Sequence, residues 1–171
     1  MSRLSLIAAA LVAALLLAGC QAAMDDNEEQ ANAVADAAVL VAPISDSDEE
    51  WKAYLGRVIA QNMDGITERT FNYYLPAGTD PAEAEGPYSR MLMDVQLAVQ
   101  RGVLPGNMLS FSSPNSTLMA DLVVAAFTAE GIKDTALSGT RVLFIGEASD
   151  ELRVRQVVLA TGAEFRFVEA R

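Results

Sequence analysis

Five side chains carrying a hydroxyl or an amide, Ser112, Ser113, Asn115, Ser116 and Thr117, fall within six residues around Pro114, directly ahead of a strongly apolar stretch. The N-terminus of a helix presents free N–H groups and the positive end of its dipole, so such a cluster suits a small anionic ligand. The segment has no glycine to let the backbone wrap a phosphate and no Lys or Arg, and neither a Walker A nor a G-x-G-x-x-G pattern occurs in the chain. The same residues also make an ordinary cap, with Ser113 or Asn115 as N-cap and proline in the first turn. Ser149 reads in the same way, as an N-cap with Asp150 and Glu151 behind it.

Catalysis is constrained by composition. The chain contains no histidine, so Ser-His-Asp triads, His-ligated zinc and the usual near-neutral acid–base residue are unavailable. Carboxylate pairs of the glycosidase kind or a Ser-Lys dyad remain. Lys52 and Lys133 are the two lysines, and neither follows serine in an S-x-x-K pattern. Asp46, Asp48, Glu49 and Glu50 lack the glycine and downstream glutamate of an EF-hand loop; with Ser47 at N-cap and Glu50 at N3 they fit a capping box. No catalytic residue, metal site or cofactor is assigned from the sequence.

One cysteine is present, Cys20, and its surroundings give it a role. Met1-Ser2-Arg3 is a short basic region, residues 6–16 are an unbroken Ala/Leu/Ile/Val run, and small residues follow, which is the pattern of a secretory signal. The uncharged stretch 4–18 falls short of the roughly 20 apolar residues that span a bilayer. No polar stripe interrupts it, as one would in a buried globular helix. Leu17, Ala18, Gly19 and Cys20 resemble the lipobox of the bacterial lipoprotein signal peptide at all four positions. The resemblance covers about 20 of 171 residues and implies cleavage before Cys20, a diacylglycerol on its sulfur and, usually, an acyl group such as palmitate on its new amino group. Cysteine suits that alkylation because its thiolate is a strong nucleophile. Several acyl chains, each buried methylene contributing about 0.8 kcal/mol, make a stable anchor. Gln21 stands where many Gram-negative lipoproteins retained at the inner membrane have Asp. The expected location is therefore the outer membrane, periplasmic face, with the inner membrane or an outward-facing location as alternatives.

Removing residues 1–19 leaves 11 basic against 23 acidic residues, a formal charge near −12. That balance disfavours nucleic acid and anionic headgroups, which are negative themselves. The chain reads as three parts: a signal peptide over 1–19, a lipidated, acidic, Ala-rich tether over 20–45, and a single domain over 46–171. Asp25, Asp26, Glu28, Glu29 and Asp36 mark the tether, which as a coil of some 24 residues reaches on the order of 25–30 Å. A helix over 28–41 is its alternative, and with mostly alanine to bury it would be marginal.

The elements that must position any site follow from periodicity. Trp51, Leu55, Val58 and Ile59 share one face of a first helix ending near Met63-Asp64-Gly65. Residues 70–75 are strand-like with Phe71, Tyr73 and Leu75 on one side, and 88–100 is helical with Met91 or Leu92, Val95 and Val99 grouped. Strand 107–112, an apolar helix over 116–130 closed by Gly131, strand 141–145 ended by Gly146, helix 151–160 and strand 163–168 complete the series. Strands alternating with helices predict an α/β fold: a small three-layer arrangement around a mainly parallel four-stranded sheet, in the order α-β-α-β-α-β-α-β. The run 142–145 is apolar on both faces and belongs centrally; the first and last strands alternate and belong at the edges. A flavodoxin-like or Rossmann-like small sheet is expected, with strand order open and an α+β fold with an antiparallel edge strand as alternative.

In such sheets ligands sit beyond the carboxyl ends of the strands. The loops there are 76–87, with Asp80, Glu83 and Glu85; 112–117; and 146–150. The expected function is that of a membrane-anchored periplasmic lipoprotein whose acidic domain is a non-enzymatic protein-interaction module, held by lipid at Cys20 and partnered by an envelope protein. The alternatives are a small-ligand-binding domain using 112–117 and a carboxylate-dependent cell-wall hydrolase. No nucleic acid and no cofactor enter any of these readings.

Overall fold

Capping chemistry and apolar periodicity set the boundaries of eight elements in the computed structural model, which describes residues 40–171. Helix α1 (Asp48–Gln61) begins at the N-cap Ser47, whose hydroxyl accepts the Glu50 N–H at 3.4 Å. The box closes through a neighbour: Ser47 N–H donates to Ser45 Oγ at 3.3 Å, and the Ser45 hydroxyl donates to the Glu50 carboxylate. There follow β1 (Thr70–Tyr74), α2 (Pro87–Arg101), β2 (Met108–Ser112), α3 (Ser116–Phe127), β3 (Arg141–Gly146), α4 (Ala148–Leu159) and β4 (Glu164–Glu169). Pro87 opens α2, where its fixed φ suits the first helical position. Helix α3 stops earlier than its apolar run suggests. Thr128 is its C-cap and turns its hydroxyl back to Val124 O at 2.7 Å.

The four strands form one sheet in the order β1-β2-β3-β4, and every pairing is parallel, so the antiparallel-edge alternative does not hold. Strands β2 and β3 are buried along their whole length, as central strands between two layers must be. Strand order runs in sequence. Right-handed crossovers then place α2, α3 and α4 on the same face. There Val95, Val99, Met119, Val123, Val154 and Val158 pack over Leu109, Phe111, Val142 and Phe144. Helix α1 covers the other face, with Trp51, Tyr54, Leu55 and Val58 against Met108, Leu143 and Ile145.

Register adds a detail that strand periodicity alone cannot supply. Tyr73, Phe111, Phe144 and Phe167 lie opposite one another across all four strands. Tyr73 and Phe111 stack with centroids 5.0 Å apart, Phe144 and Phe167 at 6.2 Å, and Phe127 of α3 meets Phe111 edge-on at 5.9 Å. Such aromatic pairs contribute about 0.5–1.5 kcal/mol each beyond the area they bury.

A sequential strand order has no point where the order reverses. The crevice that such a reversal opens in flavodoxin-like and Rossmann-like sheets is therefore absent from this sheet. The packed chain also reaches back to Leu40, within the segment read as tether: Ala42 is buried in the α1 layer and its N–H donates to Arg171 O at 2.6 Å. No helix among the described residues is long and apolar enough to cross a membrane.

Candidate functional site

Three helix starts converge at the carboxyl ends of the strands, and the residues of loop 112–117 are divided among different tasks there. Ser112 ends β2 and is buried, and its carbonyl accepts Leu75 N–H at 3.1 Å. Ser113 Oγ accepts Asn115 N–H at 3.0 Å, closing a local turn. Asn115 is the N-cap of α3, its side-chain oxygen accepting Leu118 N–H at 3.1 Å. Pro114 thus stands before the cap and not in the first turn of the helix, a correction to the sequence reading. Its missing N–H costs nothing in that position either.

Ser116 points away from the cap and across to the next βα unit. Its hydroxyl donates to Asp150 Oδ2 at 2.7 Å and accepts the Glu147 N–H at 2.8 Å. Thr117 Oγ1 donates to the same Asp150 oxygen at 3.4 Å. The other Asp150 oxygen accepts from Arg153 Nε at 3.0 Å and Nη2 at 2.7 Å, while Arg153 also pairs with Asp121 and donates to Thr117 O at 3.1 Å. Loops 112–117 and 146–150 are therefore brought together as expected, but as a closed polar staple between α3 and α4.

Helix α4 departs from the sequence reading at its start. Its N-cap is Glu147, without a side-chain cap bond, and Ser149 lies inside the first turn with its hydroxyl reaching Glu147 Oε2 at 3.5 Å. The Glu147 N–H is satisfied instead by Ser116 from the neighbouring helix, a long-range partner that no local pattern announces. Gly146 makes this possible: a Cβ there would lie 2.5 Å from Ser116 Oγ and 2.8 Å from Phe144 Cε1.

The cavity at this end measures ≈ 190 Å³ and is bordered by Trp51, Ser113, Pro114, Ser116, Glu147 and Arg171 among others. Ligand pockets ordinarily measure about 300–1,000 Å³. The larger hollow, ≈ 380 Å³, lies at the other side of the sheet, between β1 and the end of α2. Glu68, Arg69, Phe71, Ala98, Arg101, Val103, Leu104 and Asn107 line it. Phe71 is 41% exposed and Leu104 77% exposed. Met93 and Leu97 of α2 are exposed as well, spaced i, i+4.

The charged residues on the α1 face have structural work. Arg141, buried at the start of β3, donates to the carbonyls of Asn62 and Asp64 at 2.8 and 2.7 Å, satisfying the chain just past the α1 terminus. It pairs with Glu164 at 3.0 and 3.1 Å. Arg166 pairs with Asp64 and, through its hydrogen bond, holds that carboxyl below its usual value. Burial and a 2.9 Å hydrogen bond to Asp48 push the Tyr74 hydroxyl up. The Tyr54 hydroxyl is buried with no hydrogen-bond partner among the described residues. Arg141 stood in the sequence as the one charge opening an otherwise apolar run; its targets lie 77 and 79 residues away, beyond any motif.

Leu17, Ala18, Gly19 and Cys20, with the signal peptide and the acidic part of the tether, lie outside the described residues. Among the described residues no group of three or more acidic, His or Cys side chains is placed to hold a metal ion. No protein-family model, no curated protein and no solved structure matches this chain.

Proposed function

We propose that this chain is a lipid-anchored envelope protein that works as a non-enzymatic protein-interaction module, and that its interacting surface is the β1 edge with the adjoining face of α2. The observation that carries the reading is a contrast between the two ends of the molecule's surface. At the strand ends the hydroxyls and carboxylates satisfy one another, Ser116 and Arg153 to Asp150, and the cavity is small. At the β1 edge, exposed Phe71 and Leu104 border the larger hollow, and Met93 and Leu97 of α2, the helix whose end lines it, are exposed as well. Apolar side chains gathered in that way favour a protein partner.

The anchor rests on the lipobox resemblance at Leu17, Ala18, Gly19 and Cys20. Gln21 favours the outer membrane facing the periplasm. The ligand-binding alternative asks the 112–117 loop to offer free donors, whereas the hydroxyl of Ser116 and the amide of Asn115 are already used. The hydrolase alternative asks for two carboxyls facing each other across a cleft, whereas Asp64, Asp121, Asp150 and Glu164 each face an arginine. Crosslinking of the lipidated protein in intact envelopes, followed by pull-down and mass spectrometry, tests the reading: one stoichiometric envelope protein is expected, and recovery of abundant neighbours alone would count against it.

A further inference from the structure

Resting on the interaction reading above, we propose that the β1 edge binds an extended, acidic peptide segment of its partner by strand addition. Among the described residues the hydrogen-bonding pattern leaves this edge open. Arg69 C=O accepts Met108 N–H at 2.9 Å and Leu75 N–H donates to Ser112 C=O at 3.1 Å. By the alternation of a strand, residues 69, 71, 73 and 75 therefore face β2, and the N–H and C=O groups of Thr70, Asn72 and Tyr74 face outward with no strand beside them among the described residues.

The two sheet edges are managed differently. Strand β4 carries Glu164, Arg166 and Glu169, and the chain just past it is joined by Ala42. Strand β1, Thr-Phe-Asn-Tyr-Tyr, has no charge and no proline, the devices that ordinarily discourage pairing at an edge. An added strand would find main-chain partners at Thr70, Asn72 and Tyr74 and side-chain contacts at Phe71 and Leu104.

Charge decides which strand. Arg69 and Arg101 both line the hollow, and neither forms an ion pair among the described residues, although the chain holds nearly two acidic residues for each basic one. Glu68 offsets part of this charge and leaves the site basic. Arg69, the residue just before β1, and Phe71 within it are two apart and both line the hollow. The added strand therefore carries Asp or Glu two residues from an apolar side chain, the carboxylate meeting Arg69 or Arg101 and the apolar group meeting Phe71. A second copy of this chain is disfavoured, because it would bring four guanidinium groups to one seam against two carboxylates and set two acidic bodies side by side.

The test is selection from a displayed library of random 12-residue peptides on the full lipidated protein in phosphatidylcholine nanodiscs. Enriched sequences are expected to carry Asp or Glu two residues from an apolar residue, to slow amide exchange over 70–74, and to bind the double variant R69E/R101E at least tenfold more weakly. Both arginines are exposed, and an unchanged thermal midpoint verifies that the variant folds. Enrichment of neutral or basic sequences, no enrichment, equal binding to the variant, protection elsewhere, or self-association of the protein would each overturn the proposal. So would a rise in peptide binding on neutralising Asp25, Asp26, Glu28, Glu29 and Asp36, which would make this chain's own acidic segment the occupant. If an envelope protein is still captured from the α2 face while acidic strands fail, the interaction reading stands and this inference falls.

Discussion

The hydroxyl of Ser116, the first residue of α3, donates to Asp150 Oδ2 in α4 at 2.7 Å and, at the same oxygen, accepts the N–H of Glu147. One side chain thus joins two βα units and satisfies a helix start that has no cap of its own. Ser116→Ala leaves a buried carboxylate oxygen and a backbone N–H short of a partner, so it should lower stability by about 1–3 kcal/mol. Urea unfolding checks this, with Asn115→Ala as a plain capping comparison at about 1 kcal/mol. A Ser116 variant as stable as the parent would show that the staple contributes nothing.

Tyr54 gives the opposite sign. Its hydroxyl is buried in the layer formed by α1 without a partner among the described residues, and burial raises its pKa. Tyr54→Phe removes an unpaired polar atom and keeps the ring that packs edge-on to Trp51. The variant should be more stable by about 1 kcal/mol. A loss of stability would mean that the hydroxyl is bonded in solution.

Asp64 supplies a pH dependence. Its folded pKa lies below the ordinary 3.8, chiefly because of its hydrogen bond with Arg166. A depressed folded value contributes stability that is complete above the unfolded pKa and is lost as pH falls through the folded one. Asp64→Asn should therefore be less stable than the parent at neutral pH, and the difference should shrink below about pH 4. Urea midpoints of both proteins from pH 7 to pH 3 provide the comparison; a gap that stays constant would remove Asp64 from the acid limb.

Much of this fold could be read from periodicity. The alternating elements, the buried run 142–145 and the edge character of the first and last strands depend on local pattern, and the structure has them. Strand order was not legible, because parallel pairing joins residues such as Phe111 and Phe144 whose registers are unrelated in local sequence. The same holds for the site. The 112–117 loop showed that a helix begins near Asn115, but the partner of Ser116 lies 34 residues on, and Glu147 reads as a poor cap until Ser116 is beside it. Tyr54 is absent from the stripe read as Trp51, Leu55, Val58 and Ile59, although its place three residues after Trp51 puts it on the same helical face, where it is buried.

The proposed anchor depends on chemistry at one atom. On the proposed reading, Cys20→Ser removes the sulfur that would carry the diacylglycerol, and with it the acyl chains whose burial would hold the protein at a bilayer. The variant should move from the membrane fraction to the soluble fraction on ultracentrifugation. Continued retention would undo the lipoprotein reading.

The central claim is that the β1 edge and the outer face of α2 bind a protein. Site-specific photocrosslinking in intact envelopes tests it most directly, with the reactive group placed in turn at Phe71, Met93, Leu97 and Leu104, and for comparison at exposed Thr117 in the strand-end loop and at exposed Leu152 on α4. A discrete adduct of the same mass from the first four positions, and none from Thr117 or Leu152, is the result expected. Equal labelling at all six positions, or an adduct confined to Thr117, would contradict the account and return attention to the strand ends.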